Sequence, residues 1–94
     1  MVNVTDAARE ELRRILGTLN RDVDKHMRLA MPPVWEGPGD FGIVLDIEAE
    51  GDYVVELEGL KLLLVDQSLT ESLKDAVLDF KDSSHGPGFT LDVF

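Results

Sequence analysis

The run Phe41-Gly-Ile-Val-Leu-Asp-Ile-Glu-Ala-Glu-Gly-Asp-Tyr-Val-Val-Glu-Leu-Glu-Gly-Leu-Lys-Leu-Leu-Leu-Val65 carries the clearest structural signal in the chain. Phe41, Ile43, Leu45 and Ile47 alternate with Gly42, Val44, Asp46 and Glu48, the period-two pattern of a strand with one face on a core. Tyr53, Val55 and Leu57 repeat it. With Glu48 to Asp52 as a five-residue loop, Ile47 is expected to pair with Tyr53, Leu45 with Val55 and Ile43 with Leu57, so that each inward residue meets another. Glu58-Gly59 then serves as a two-residue turn, pairing Leu57 with Leu60, Val55 with Leu62 and Tyr53 with Leu64. The expectation is a three-stranded meander. Leu63 and Val65 are apolar on the opposite face, which predicts a central third strand packed on both sides.

Outward from this core, Thr5-Asp6 reads as a helix start, because a Thr oxygen accepts an orphan backbone N–H and Asp6 complements the positive helix end. Ala8, Leu12, Ile15, Leu16 and Leu19 form one apolar stripe on a helix running to about Asn20. Arg9, Glu10, Arg13 and Thr18 are assigned to water, with Glu10 supporting Arg14 at i,i+4. Residues 21 to 25 are a polar connection, and His26 to Met31 is a short strand stopped by Pro32-Pro33. Pro32 to Asp40 is too rich in Pro and Gly for regular structure. On the other side, Asp66 or Ser68 caps a short helix carrying Leu69 and Leu73. Ala76, Leu78 and Phe80 then form a strand, Ser83 to Pro87 a turn, and Phe89, Leu91 and Val93 a closing strand.

One domain spanning residues 1–94 accounts for this length,. The longest apolar stretch is Leu62 to Val65, and Met1 leads directly into Asp6, Glu10 and Glu11, so the reading is a cytoplasmic chain with no signal sequence and no membrane partner. The net charge is −10, and residues 29 to 94 hold three bases against fourteen acids. Nucleic acid is therefore excluded as a partner. There is no cysteine, which removes disulfides, zinc–thiolate sites and thiolate chemistry.

In order, the elements are a helix, a strand, a Gly-rich loop, a meander, a short helix, a strand and a Gly-Phe strand. This order resembles the HesB/IscA-like family of iron–sulfur biogenesis proteins, the A-type carriers. Val4-Thr5-Asp6-Ala7-Ala8 resembles the family's opening and Arg28-Leu29 its first strand. Val65-Asp66 with Ser68-Leu69 resembles its Asp-x-x-Ser-Leu element, and Leu78-Asp79-Phe80 with Gly88-Phe89-Thr90 its closing strands. The resemblance implies an α+β, mostly β fold: a compact mixed-sheet domain with an N-terminal helix and a short second helix, often assembled into dimers or larger assemblies. In the family it also implies iron or a cluster held by three cysteines, one in the Gly-rich loop and two in a Cys-Gly-Cys tail. All three are missing here, with Pro38 or a neighbour at the loop position and Phe94 ending the chain before the tail.

The function expected is therefore that of a HesB/IscA-like protein without cysteine ligation of clusters. It is non-catalytic, has no cofactor, and acts through an unknown protein partner near iron–sulfur or metal handling, with homodimerisation favoured by exposed sheet edges. Val34, Trp35, Glu36 and Asp40 are the candidate partner-binding residues, Trp35 serving either as a lid on the core or as an anchor. The alternative is a small-ligand or non-thiolate metal binder, or an enzyme, using the Pro32 to Asp40 loop with His26 or His85, the only metal-ligand histidines. The remaining polar groups read as structure. Asp82 to His85 is a polar turn and not a hydrolase dyad, and the two Gly-Pro-Gly strings lack the helix and Lys of a phosphate loop. The acids Asp46, Glu48, Glu50, Asp52, Glu56 and Glu58 form a solvated face, since the expected register sets Asp46 opposite Val54 and Glu56 opposite Val44, too staggered for calcium.

Overall fold

The structure is a computed structural model that describes residues 2–20, 22–32, 35–37, 39, 41–83 and 86–93. It contains β1 (Asn3–Val4), α1 (Asp6–Thr18), β2 (Lys25–Ala30), β3 (Gly42–Ile47), β4 (Tyr53–Leu57), β5 (Leu60–Val65), α2 (Gln67–Ser72), β6 (Val77–Ser83) and β7 (Gly86–Asp92). The strands form two sheets, one of three strands in the order β1-β6-β7 and one of four in the order β3-β2-β5-β4. The architecture is thus α+β and mostly β.

Thr5 caps α1 as its sequence predicts: its Oγ1 accepts from the Ala8 N–H at 3.2 Å. The same hydroxyl donates to Asp79 Oδ1 at 2.6 Å, fastening the helix start to β6. That hydrogen bond, with a second from the Phe80 N–H, holds the Asp79 carboxyl below its ordinary range,. Ala8, Leu12 and Leu16 are buried, and the helix packs on both β5 and β6. One amphipathic helix therefore joins the two sheets through a shared core that includes Met27, Leu29, Val55, Leu63, Val65, Leu73 and Leu78. The polar face differs from expectation. Arg14 pairs with Glu11 and not with Glu10, and Arg9, half-buried, donates from Nε to the Val4 carbonyl at 3.3 Å and from Nη1 to the Glu56 carbonyl.

The Glu58-Gly59 turn is present, with positive φ at both residues (54° and 81°). These are the signs of a type I′ hairpin turn. Leu57 pairs with Leu60 as expected, but the register shifts between Val55 and Glu56, so Val55 pairs with Leu63 and Tyr53 with Val65. The extra residue is Leu62, and a bulge of this kind sharpens the local twist. β5 is central and Leu62 to Val65 are fully buried.

The meander is overturned at its other joint. β3 does not pair with β4: it pairs antiparallel with β2, Arg28 opposite Val44 and Met27 opposite Leu45, and β2 in turn pairs parallel with β5 at Arg28 and Leu64. Burial explains the choice. Residues 27 to 30 of β2 and 62 to 65 of β5 are buried without alternation, and strands that face protein on both sides belong in the middle of a sheet. β3 and β4, with their alternating patterns, take the edges. The two-residue β1, which pairs parallel with β6, carries too short a pattern for sequence reading to find.

Candidate functional site

Trp35 lies where the chain turns between β2 and β3. Its backbone N–H donates to the Met31 carbonyl at 3.0 Å, and its half-buried indole lies across two glycines. A Cβ added to Gly37 would come within 2.3 Å of the ring, and one added to Gly42 likewise. No real Cβ contact is so short, so both positions must be bare for the ring to lie flat there. Gly42 is the first residue of β3, opposite Ala30. Trp35 thus lies as a lid across the end of the β2–β3 pair, half-buried. Glu36 beside it is exposed. Val34, Asp40 and His85 lie outside the described residues.

Next to this loop, a cleft of about 220 Å³ opens between the end of β2 and the start of α2, lined by Arg28, Ala30, Met31, Pro32, Ser68 and Leu69 among others. Its polar rim comes from the α2 cap: Asp66 Oδ1 accepts from the Ser68 N–H at 2.8 Å and from the Ser68 hydroxyl at 2.7 Å. Those two hydrogen bonds hold Asp66 ionised below the ordinary carboxylate range,.

The dominant electrostatic feature escaped sequence reasoning. Arg28 in β2 has a side chain only 11% exposed, and it makes a two-pronged pair with Asp52, itself 2% exposed: Nη1 to Oδ1 at 2.9 Å and Nη2 to Oδ2 at 2.6 Å. Nη2 also donates to the Ile47 carbonyl at 3.0 Å, and Nε lies 2.9 Å from Asp46 Oδ2. A tight turn places Asp52. The Asp52 N–H donates to the Ala49 carbonyl at 3.2 Å, and the Ala49 N–H donates to Asp52 Oδ2 at 2.7 Å. Gly51, at φ +88°, sits against Gln67 of α2. The Arg28 hydrogen bonds hold the Asp52 carboxyl below its ordinary range and raise the guanidinium above its own,. Asp46 and Asp52 are therefore not staggered apart: Asp46, which does face solvent, and Asp52, which is buried, meet one arginine because β3 pairs with β2 and the turn after it returns Asp52 to the same place. The sequence signal was the lone charge inside Met27-Arg28-Leu29-Ala30, since a charge amid buried residues requires a partner.

His26 precedes Arg28 on the same face of β2, opposite Asp46. Its Nδ1 is buried without a hydrogen-bond partner among the described residues. Among those residues no group of three or more His, Asp or Glu side chains is placed to hold a metal ion. The described part of the loop contributes one ionisable group, Glu36, and an iron–sulfur cluster takes soft thiolate ligands. The residues present do not fit a cluster of the kind that the family resemblance implied.

The fold is that of the HesB/IscA-like proteins. SufA of Escherichia coli, involved in the biosynthesis of iron–sulfur clusters, superposes with a TM-score of 0.66 at 21% identity, over 98% of this chain and 84% of that one. IscA with a 2Fe–2S cluster matches with a TM-score of 0.58 at 23% identity, over 99% and 82%. A protein of Aquifex aeolicus, solved in solution by NMR, matches with a TM-score of 0.62 at 28% identity, over 97% and 89%. No protein-family model matches the chain, and no curated protein matches it. The resemblance drawn from the order of elements is therefore borne out by the fold. Among the described residues no helix is long and apolar enough to cross a membrane.

Proposed function

We propose that this chain is a HesB/IscA-like protein that has kept the fold and does not ligate clusters through cysteine. It acts by protein contact in an accessory, non-catalytic role near iron–sulfur or metal handling in the cytoplasm. One observation carries the reading: the fold shared with SufA and IscA is built here from a chain without a single cysteine. Trp35 and Glu36, in the loop where the family resemblance places a ligand, are the contact surface, a half-buried indole with an exposed acidic neighbour,. The β4 edge of the four-stranded sheet is compatible with homo-oligomers,.

The test is elemental analysis and a visible absorption spectrum on protein purified without air or chelator, before and after incubation with iron and sulfide. Protein that stays colourless and metal-free is expected. Stoichiometric iron would overturn the reading, and His26→Ala and Glu36→Gln would then identify the ligands. The cleft beside Pro32 supports a second reading, binding of a small ligand, for which a ligand-induced rise in melting temperature abolished by Ser68→Leu is the expected sign.

A further inference from the structure

Among the described residues β3 pairs only with β2 and is an edge strand, so its outer side offers backbone donors and acceptors as far as Asp46, the N–H and carbonyl of Ile47 being taken by Asp46 Oδ1 and Arg28,. Its side chains make that edge unusual. Ile43, Leu45 and Ile47 share one face, and Leu45 and Ile47 are 44% and 50% exposed. Ile43 and Leu45 line a groove of about 180 Å³ with Ile15, Leu19 and Met27 where α1 ends beside the sheet. Native edges are ordinarily protected by an outward lysine, a proline or a bulge. Gly42 to Ile47 carries no lysine and no proline, and its pairing with β2 runs without a register shift.

The charge around this edge is mostly negative. The start of β2, β3 itself and the loop after it carry Asp22, Asp24, Asp46, Glu48, Glu50 and Asp52, against Lys25 and Arg28. Arg28 is engaged by Asp46 and Asp52, and Glu48 by Lys61 at 2.6 Å, so the rim's available negative charge rests chiefly on Asp24 and Glu50. Pairing β3 with a second copy would bring two such acidic rims together in chains of net charge −10 each, which like-charge repulsion opposes.

We infer that the β3 edge receives an extended, basic segment of another protein as an added strand. Apolar side chains at alternate positions of that segment lie over Leu45, Ile47 and the groove, while its lysines or arginines face the acidic rim. This site is separate from the Trp35 surface and stands whether or not that surface binds.

The probe is an acetylated, amidated peptide of alternating lysine and valine, titrated into the full chain and followed by amide chemical shifts. Shifts concentrated on residues 43 to 47 are expected, with affinity falling as salt rises. Leu45→Ser with Ile47→Ser should weaken binding at least tenfold, and their exposure leaves the fold intact, as far-UV circular dichroism would verify. Asp24→Asn with Glu50→Gln should weaken binding and flatten its salt dependence. The inference is overturned if the peptide does not bind, if the serine variant binds as tightly, or if the shifts lie elsewhere. It is also overturned if a peptide interrupted by prolines, which cannot complete a ladder, binds equally well, or if the free chain dimerises through residues 43 to 47.

Discussion

Removing either partner of the Arg28–Asp52 pair should destabilise the protein by unequal amounts, and the inequality follows from what each group keeps. In Arg28→Met, Asp52 stays 2% exposed with no counter-ion and retains only the Ala49 N–H. In Asp52→Asn, the guanidinium keeps Asp46 at 2.9 Å and the Ile47 carbonyl at 3.0 Å. Breaking a buried pair from one side costs about 3–5 kcal/mol. Arg28→Met belongs at the upper end and Asp52→Asn at about 3 kcal/mol or slightly below. In a domain of this size that is a drop in Tm of roughly 10–20 °C for the milder variant. Urea unfolding followed by the emission of Trp35, the only tryptophan, measures both. The pH dependence tests the cause. Because the folded-state pKa of Asp52 is depressed, its contribution is fully present above the ordinary Asp range, near pH 4, and is lost as pH falls below it. In Arg28→Met the cause of the depression is gone, so the gap between this variant and the wild type should narrow below about pH 4, where Asp52 accepts a proton. A loss under about 1 kcal/mol for both variants, flat with pH, would refute the reasoning and place the pair with ordinary surface ion pairs.

Gly42→Ala sets a Cβ within 2.3 Å of the Trp35 ring. The indole must lift, and we expect a red-shifted emission maximum with a loss of about 1–3 kcal/mol by overpacking; an unchanged spectrum would contradict the lid geometry. Glu58 holds φ 54° ahead of Gly59, and Glu58→Asn, with a side chain suited to the left-handed region, should stabilise the hairpin by about 0.5 kcal/mol, read as a higher urea midpoint at constant slope.

The helices and the body of the closing strands were legible because each carries a local signature: the Thr5 cap, the stripe from Ala8 to Leu19, and the alternation from Ala76 to Phe80. So was the Glu58-Gly59 turn, whereas the turn expected over Ser83 to Pro87 is shorter, because Ser83 pairs with Gly86 and Asp82 with Pro87. Strand neighbours were not legible. Period-two alternation says which side chains point inward and leaves the choice of partner open, so Ile43 to Ile47 fitted Tyr53 to Leu57 on paper as well as it fits Lys25 to Leu29 in space. That one choice also moved Asp46 from an apolar neighbour to His26 and Arg28, so an error in pairing became an error about the electrostatic centre. The mismatched register beyond Glu56 came from Leu62, which a run of four apolar residues conceals. Of the candidate site residues, Trp35 and Glu36 are placed together by the loop, His26 stands on a different element, and Val34, Asp40 and His85 fall outside the described residues.

The link from Thr5 in the α1 cap to Asp79 in β6 joins residues 74 apart in sequence, and β1 reaches β6 over the same span. During synthesis, the helix therefore emerges long before the strand that anchors its first turn, and Leu12 and Leu16 wait without the β6 side of their core. Contacts of such separation slow folding, because the chain must close a long loop before any of them forms. A nascent chain stalled before Val77 would expose that apolar stripe and be a natural client for chaperones.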